Sequence, residues 1–310
     1  MVMAAAFMEG LERTWPHAEV SVICKKGIHD LLDFFPPIRH RFVFSKDEYK
    51  GIGGLLRFGR QIKDSDSFDL FFCLPDSFSS ALMGAAAGAS KRVGYRKELR
   101  QIFFTHSYLK PEGLHRVEQY VRLLECFTKK TVAPVSPTLR HGFQKENYIV
   151  VNINSEASSR RLTVNKAAEL LTELRRKTDD KIIMIGAPKE QEFVETVLSP
   201  IPYKTNIENA AGRTTLAQLV QILASAKLLL TTDSGPAHLA NALGTYTIVL
   251  FGAGNEQNTA PYNSKLRSII RLGELSCEPC EKNICVRYAT PQCLERLSTN
   301  VIVETVKLYA

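Results

Sequence analysis

Short β-branched and aromatic runs alternate with amphipathic stretches twice along this chain, and a proline- and glycine-bearing break separates the two series. In the first series the periodicity predicts helices over 4–15, 55–63, 77–87 and 115–127, with strands over 19–24, 41–44, 69–74 and 91–95. Pro134, Pro137 and Gly142 interrupt the pattern over 131–142, which reads as a linker between domains at 1–143 and 144–310. The second series predicts strands over 148–153, 181–186, 227–232 and 245–251, with helices over 164–177, 189–198, 216–225 and 235–243. A strand cannot run parallel to its predecessor without a crossover, and helices of this kind supply one. The fold class is therefore α/β, two parallel sheets covered by helices, and 310 residues suit two such domains better than one core. Ligands in such sheets bind beyond the carboxyl ends of the strands, so the residues that follow each strand are the candidates for chemistry.

Charge narrows the partners without choosing one. The net charge of +8 favours anionic partners: nucleic acid, an acidic lipid surface or a phosphorylated substrate. No nucleic-acid motif or aromatic stacking platform accompanies it, so nucleic acid is not expected. No apolar run reaches the length of a membrane span. Residues 1–8 are apolar but lack a basic flank and run into Glu9, Glu12 and Arg13, unlike a signal peptide. A cytoplasmic protein is expected.

The most informative segment is 231–252, TTDSGPAHLANALGTYTIVLFG. A buried strand delivers Asp233, Ser234 and Gly235 to its carboxyl end, and a helix starts at once. The first N–H groups of that helix lack intrahelical partners and its dipole is positive there, which suits a diphosphate. His238 follows one turn later. Taken alone, Asp-Ser-Gly reads equally well as a helix cap, and His238 as a surface histidine.

The whole string resembles the signature of the family 9 glycosyltransferases, the lipopolysaccharide heptosyltransferases: strand, Asp-Ser/Thr-Gly, His, a small-residue helix, a second strand and Phe251-Gly252, with Pro261 beyond. Further segments carry the same resemblance. They are 74–81 (LPDSFSSA, with Asp76 in place of an Asn), 92–96 (RVGYR), 115–120 (HRVEQY) and 210–216 (AAGRTTL). The resemblance implies a GT-B fold, two Rossmann-like domains whose parallel sheets face each other across a cleft. It implies transfer of a heptose from ADP-heptose to a lipid A-Kdo or lipopolysaccharide inner-core acceptor, by single displacement with inversion, at the inner face of the inner membrane.

Site residues follow from the same resemblance. The loop after the strand at 148–153 matches a small-residue loop ending in a cation. Ser155, Ser158 and Arg160, with Arg161 as the second basic residue, would hold the leaving diphosphate, although Leu162-Thr163 stands where the family often has Trp-Pro. Glu190 matches a carboxylate that holds a ribose hydroxyl, a position where it reads equally as a first-turn helix residue. Asp233, Ser234, Gly235 and His238 complete the donor set, while Asp76, Ser77, Arg92 and Arg96 would face the acceptor. Family members begin with a strand and a Gly-Asp loop whose Asp is the general base, and residues 1–8 resemble the helix that follows. The resemblance thus places the base before Met1, assigns none within the chain, and implies a first sheet with two unpaired edges and low stability.

Of seven cysteines, Cys24, Cys73 and Cys126 read as core, while Cys277, Cys280, Cys285 and Cys293 cluster in a loop over 277–293 that is followed by a C-terminal helix. Their spacing is compatible with a structural zinc or with plain thiols, and the chemistry itself requires no cofactor. Two rival functions are a transferase for another nucleotide sugar on the same fold and a noncatalytic protein that binds nucleotide sugar.

Overall fold

The computed structural model describes residues 1–202 and 204–310, and the chain separates into two compact units that meet in sequence at Pro137–Thr138.

The first unit carries β1 (Val22–Lys25), β2 (Arg41–Phe44), β3 (Leu70–Cys73), β4 (Lys91–Tyr95) and β5 (His106–Tyr108), with helices α1 (Ala4–Thr14), α2 (Gly51–Ser65), α3 (Phe78–Ala86) and α4 (Arg116–Thr128). All strand pairings are parallel, but they form two separate sheets, β1-β2 and β3-β4-β5. Among the described residues β1 and β3 each pair on one side only. Helix α4 shows how the sequence sets its own boundary. His115 and Glu118 form a reciprocal cap at its start, Val117, Leu123 and Leu124 are buried, and Lys129 ends it in the left-handed conformation. Aromatic edges fill the space between helix and sheet, with Phe7 of α1 against Phe72 at 5.1 Å and Phe72 against Phe127 at 5.6 Å.

The second unit is a single six-stranded parallel sheet of β6 (Tyr148–Asn152), β7 (Lys181–Met184), β8 (Ile207–Asn209), β9 (Leu228–Thr232), β10 (Tyr246–Phe251) and β11 (Arg267–Arg271), in the order β11-β10-β9-β6-β7-β8. Its helices are α5 (Val164–Lys177), α6 (Gln191–Leu198), α7 (Leu216–Ser225), α8 (Gly235–Ala242), the short α9 (Glu256–Thr259) and α10 (Gln292–Glu295), and the C-terminal α11 (Thr299–Tyr309). Helix α5 starts where the Thr163 hydroxyl accepts from the Lys166 amide, and Ala167, Leu170, Leu171 and Leu174 form its buried stripe. Those side chains pack with Ile149, Ile182 and Leu230 of the sheet and Ile302, Val303 and Val306 of α11 in one core. Each fully buried leucine there contributes about 1.5–3 kcal/mol relative to exposure.

The sequence reading missed β5, β8 and β11, three or five residues long, with no fully buried position. A strand at a sheet edge packs less apolar surface, so its hydrophobic signature is weak. The strand expected over 19–24 begins later, at Val22, and the helix expected over 55–63 is longer, Gly51–Ser65.

The two units differ in how well their sheets are covered. All five positions of β6 and of β9 are buried, whereas β1 and β3 each bury one of four. Amides of 22–25 and 70–73 are therefore expected to exchange with deuterium much faster than those of 148–152 and 228–232. Equal protection in the two sets would contradict this.

Candidate nucleotide-sugar site

The second sheet runs from β6 to β7 and β8 in one direction and from β9 to β10 and β11 in the other. The order reverses between β6 and β9, and the crevice outside their carboxyl ends is where such sheets bind ligands. Two of the expected donor segments leave the sheet there, Asn154–Ser155 after β6 and Asp233–Ser234–Gly235 after β9.

Hydrogen bonds stitch the two segments together. Asn152 Nδ2 donates to Ser234 Oγ (2.9 Å) and to Thr231 Oγ1 (3.1 Å). Thr232 Oγ1 donates to the Asn154 carbonyl (2.7 Å), and Asn154 Nδ2 reaches the Ile185 carbonyl at the end of β7 (2.9 Å). These hydrogen bonds tie the neighbouring strand ends together across the floor of the crevice, while the buried Asn154 Oδ1 accepts no hydrogen bond. Asn152 and Asn154 are absent from the expected site set. A polar residue inside an otherwise apolar strand such as YIVVN is the signal that would have found the first of them.

Helix α8 opens at this floor without a side-chain cap. Asp233 and Ser234 thus do not act as its cap. The Ser234 hydroxyl is turned back to the Thr232 carbonyl (3.1 Å). Gly235 is exposed, and a Cβ placed on it would meet nothing within 4 Å. The helix start is open towards solvent, the arrangement that receives an anion. His238 lies half-buried on the same helix one turn on.

Asp233 is buried, 5 % exposed, and Arg160 Nη1 lies 3.3 Å from its Oδ2. Arg160 comes from the 3-10 turn Ser158–Arg160, so the sheet end brings together two residues 73 positions apart in sequence. Burial raises the Asp233 carboxyl pKa, while Arg160 and Arg271 pull it back. The folded unit then holds this proton more tightly than the unfolded chain. Its stabilising contribution is complete below the ordinary aspartate pKa and is lost as pH rises through the folded value. Asp233→Asn is accordingly expected to raise the Tm at pH 7, with the gain shrinking below about pH 4. A lower Tm at pH 7 would reverse the sign of this argument.

The remaining expected donor residues fall as follows. Ser155 is buried beside the crevice and Ser158 is exposed on the Arg160 turn. Arg161 stacks its guanidinium over Phe193 at 4.9 Å. Glu190 Oε2 accepts from the Ala187 amide (2.7 Å), so one carboxylate oxygen closes its own turn.

In the first unit Ser77 caps α3, its hydroxyl accepting from the Ser80 amide at 3.2 Å. Arg92 sits at the start of β4, where Nε donates to the Phe103 carbonyl (2.8 Å) and Nη1 to the Ala89 carbonyl (2.7 Å). It is tied to the backbone at the amino end of its strand, away from Arg96 at the carboxyl end. Arg96 Nε reaches Ser107 Oγ (3.2 Å) and the side chain is exposed. Asp76 gathers cations that the sequence reading did not single out: Lys110 at 2.5 Å, Arg100 at 3.7 Å and Arg116 at 4.0 Å. All three follow β4 or β5 in sequence, at or beyond strand carboxyl ends, which is the signal that could have found them.

The four clustered cysteines are half-buried free thiols. Burial, with Glu278, Cys280 and Cys285 nearby, pushes Cys293 up to about 11. Among the described residues no group of three or more His, Cys, Asp or Glu side chains is placed to hold a metal ion. No helix of the described residues is long and apolar enough to cross a membrane.

Two Rossmann-like units with parallel sheets, the second bearing an open helix start at its switch point, define a GT-B glycosyltransferase fold. The profile of glycosyltransferase family 9 (heptosyltransferase) matches residues 55–289, and the chain belongs to that family. It is 24% identical over 298 residues to lipopolysaccharide heptosyltransferase 2 of Escherichia coli K12, covering 88% of this chain and 84% of that one. It is also 24% identical over 278 residues to the lipopolysaccharide core heptosyltransferase OpsX of Haemophilus influenzae, covering 84% and 78%. Among solved structures, the E. coli ADP-heptose lps heptosyltransferase II superposes with a TM-score of 0.77 at 22% identity, covering 99% of this chain and 96% of that one. The E. coli heptosyltransferase WaaC with ADP gives a TM-score of 0.78 at 14% identity, covering 100% and 96%.

Proposed function

We propose that this glycosyltransferase moves a heptose from ADP-heptose onto the lipopolysaccharide inner core. The observation that carries the reading is the pairing of Arg160 with Asp233 beside the uncapped start of α8. A diphosphate placed there meets a guanidinium, the amide of Gly235 and the positive end of a helix dipole. In the reaction an acceptor hydroxyl attacks the anomeric carbon and gives up its proton to solvent, the bond from that carbon to the ADP oxygen breaks on the opposite face with its electron pair leaving on ADP, and the configuration inverts. Charge grows on the departing diphosphate, and Arg160 and the α8 amides are preorganised to receive it. Ser155 contributes its hydroxyl to the same phosphates, whereas the Ser158 hydroxyl is turned to the Asn283 carbonyl (3.4 Å); Glu190 keeps an oxygen for a ribose hydroxyl, and His238 faces the sugar.

The acceptor falls to the first unit. Arg96, with Lys110 and Arg116 around Asp76, suits the phosphates or acidic sugars of a lipid A-Kdo acceptor. The carboxylate of Asp76 is engaged by these cations and serves to position them, so we assign it no role as the general base. Exposed Leu99, Ile102 and Leu109 lie in sequence beside Arg96, Lys97 and Lys110, a mixture that fits a cytoplasmic enzyme working peripherally at the inner face of the inner membrane. No metal is needed to neutralise the leaving group, so EDTA is expected to leave the rate unchanged.

The test is release of the donor's own nucleoside diphosphate from a panel of nucleotide sugars with a lipid A-Kdo acceptor. Release from ADP-heptose alone supports the reading. Release only from a different nucleotide sugar would establish the transferase with another donor, and ADP binding without release from any donor would establish the noncatalytic alternative.

A further inference from the structure

The cysteine loop is built into the walls of the donor crevice. Its segment 278–283 grips the Arg160 turn on one side. The Ser159 amide donates to the Asn283 carbonyl (3.2 Å), the Ser159 hydroxyl to the Lys282 carbonyl (2.5 Å), and the Ser158 hydroxyl to the Asn283 carbonyl (3.4 Å). Ser159 itself is 2 % exposed, and its hydroxyl points into the protein rather than into the crevice.

On the other side the same segment grips the loop that follows β10. The Glu281 amide donates to the Ala253 carbonyl (2.8 Å). Arg271 Nη1 bridges the Gly252 carbonyl (2.9 Å) and Glu278 Oε2 (3.3 Å), while its Nη2 reaches the Gly254 carbonyl and Glu256 Oε2. Glu278 Oε2 also accepts from the Gly273 amide (3.1 Å). The loop after β10 in turn presses on Asp233: a Cβ added at Gly254 would lie 2.1 Å from Asp233 Oδ2. One segment therefore holds Arg160 through its turn and Asp233 through the opposite wall.

We propose that residues 278–283 of the cysteine loop set the position of Arg160 against Asp233, with Ser159 and Glu278 as positioning residues for nucleotide diphosphate binding. A guanidinium on a three-residue turn has little local structure to aim it. Carbonyls from a second loop fix that turn from behind, and precise placement is what a charge-assisted contact to phosphate requires. The proposal rests on the donor reading above.

The test is a double-mutant cycle on ADP affinity, measured by calorimetry with the full chain. Arg160→Ala is expected to weaken ADP by about 10–100-fold, as for a hydrogen bond to a charged group. Ser159→Ala, which touches no ligand, is expected to weaken it by about 3–10-fold, and the double variant is expected to bind no worse than Arg160→Ala alone. Should Ser159→Ala not fold, Glu278→Gln combined with Arg160→Ala runs the same cycle from the opposite clamp. Additive losses, or no loss from Ser159→Ala and Glu278→Gln while Arg160→Ala still weakens ADP, would overturn the positioning role and leave the donor site standing. An Arg160→Ala variant that binds ADP normally would remove the donor reading and this inference with it.

Discussion

Arg160→Ala is expected to lower kcat/KM for ADP-heptose by about 10²–10³-fold, the loss produced when one preorganised donor to a developing oxyanion is removed. The loss in kcat/KM should exceed the loss in ADP affinity in the ground state, because the diphosphate carries most charge as the glycosidic bond breaks. The substitution also leaves Asp233 Oδ2 buried without the cation 3.3 Å away. Part of any fall in Tm will therefore be a desolvated carboxylate losing its partner. Arg160→Lys separates the two effects: it keeps the charge but not the planar fork, so it should recover stability more completely than rate. Steady-state kinetics on both variants, beside their melting curves, makes the comparison. Unchanged kcat/KM in Arg160→Ala would place the leaving group elsewhere.

The second large effect is expected in the first unit. Arg100 is 2 % exposed, with Nη1 donating to the Pro75 carbonyl at 2.8 Å and lying 3.7 Å from Asp76 Oδ1, and with its guanidinium 5.1 Å from the Phe104 ring centre. Arg100→Ala leaves a cavity, a Pro75 carbonyl with only the weak Cys73 thiol donor at 3.5 Å and a disturbed cation cluster, and breaking such a buried arrangement costs about 3–5 kcal/mol. The single tryptophan, Trp15, belongs to this unit and packs edge-on against Phe127 at 6.4 Å, so its fluorescence reports the unit directly. The urea midpoint followed at Trp15 should fall sharply in Arg100→Ala. Arg100→Met, which refills the volume without the charge, should recover part of it. A Trp15 transition that does not move in either variant would show that Arg100 contributes nothing to the unit's stability.

How much of this was legible beforehand depends on whether a signal is local. Helix α5 announced itself because its cap, its buried stripe and its basic last turn all lie within Thr163–Lys177. Strands β6 and β9 did so because full burial on both faces demands continuous apolar runs. The segment from Asp233 to Gly252 carried the family resemblance in one stretch. Arg92 misled for the same reason. It stands in a matching string, but its strand starts there, so its guanidinium is spent on the Ala89 and Phe103 carbonyls. The cluster around Asp76 lay hidden because Arg100, Lys110 and Arg116 are 24 to 40 residues away from it in sequence.

The sequence by itself determined the two series of strands and helices, the parallel sense of the sheets and the residues delivered to the strand ends, because hydrophobic period and capping chemistry act over a few residues. The tertiary structure alone decided the strand order β11-β10-β9-β6-β7-β8, which places the switch point between β6 and β9. It alone paired Arg160 with Asp233 and laid the cysteine loop behind Ser159. Those contacts join segments 73 and 123 residues apart, and no local propensity encodes a meeting that is settled only when the whole sheet has closed its core.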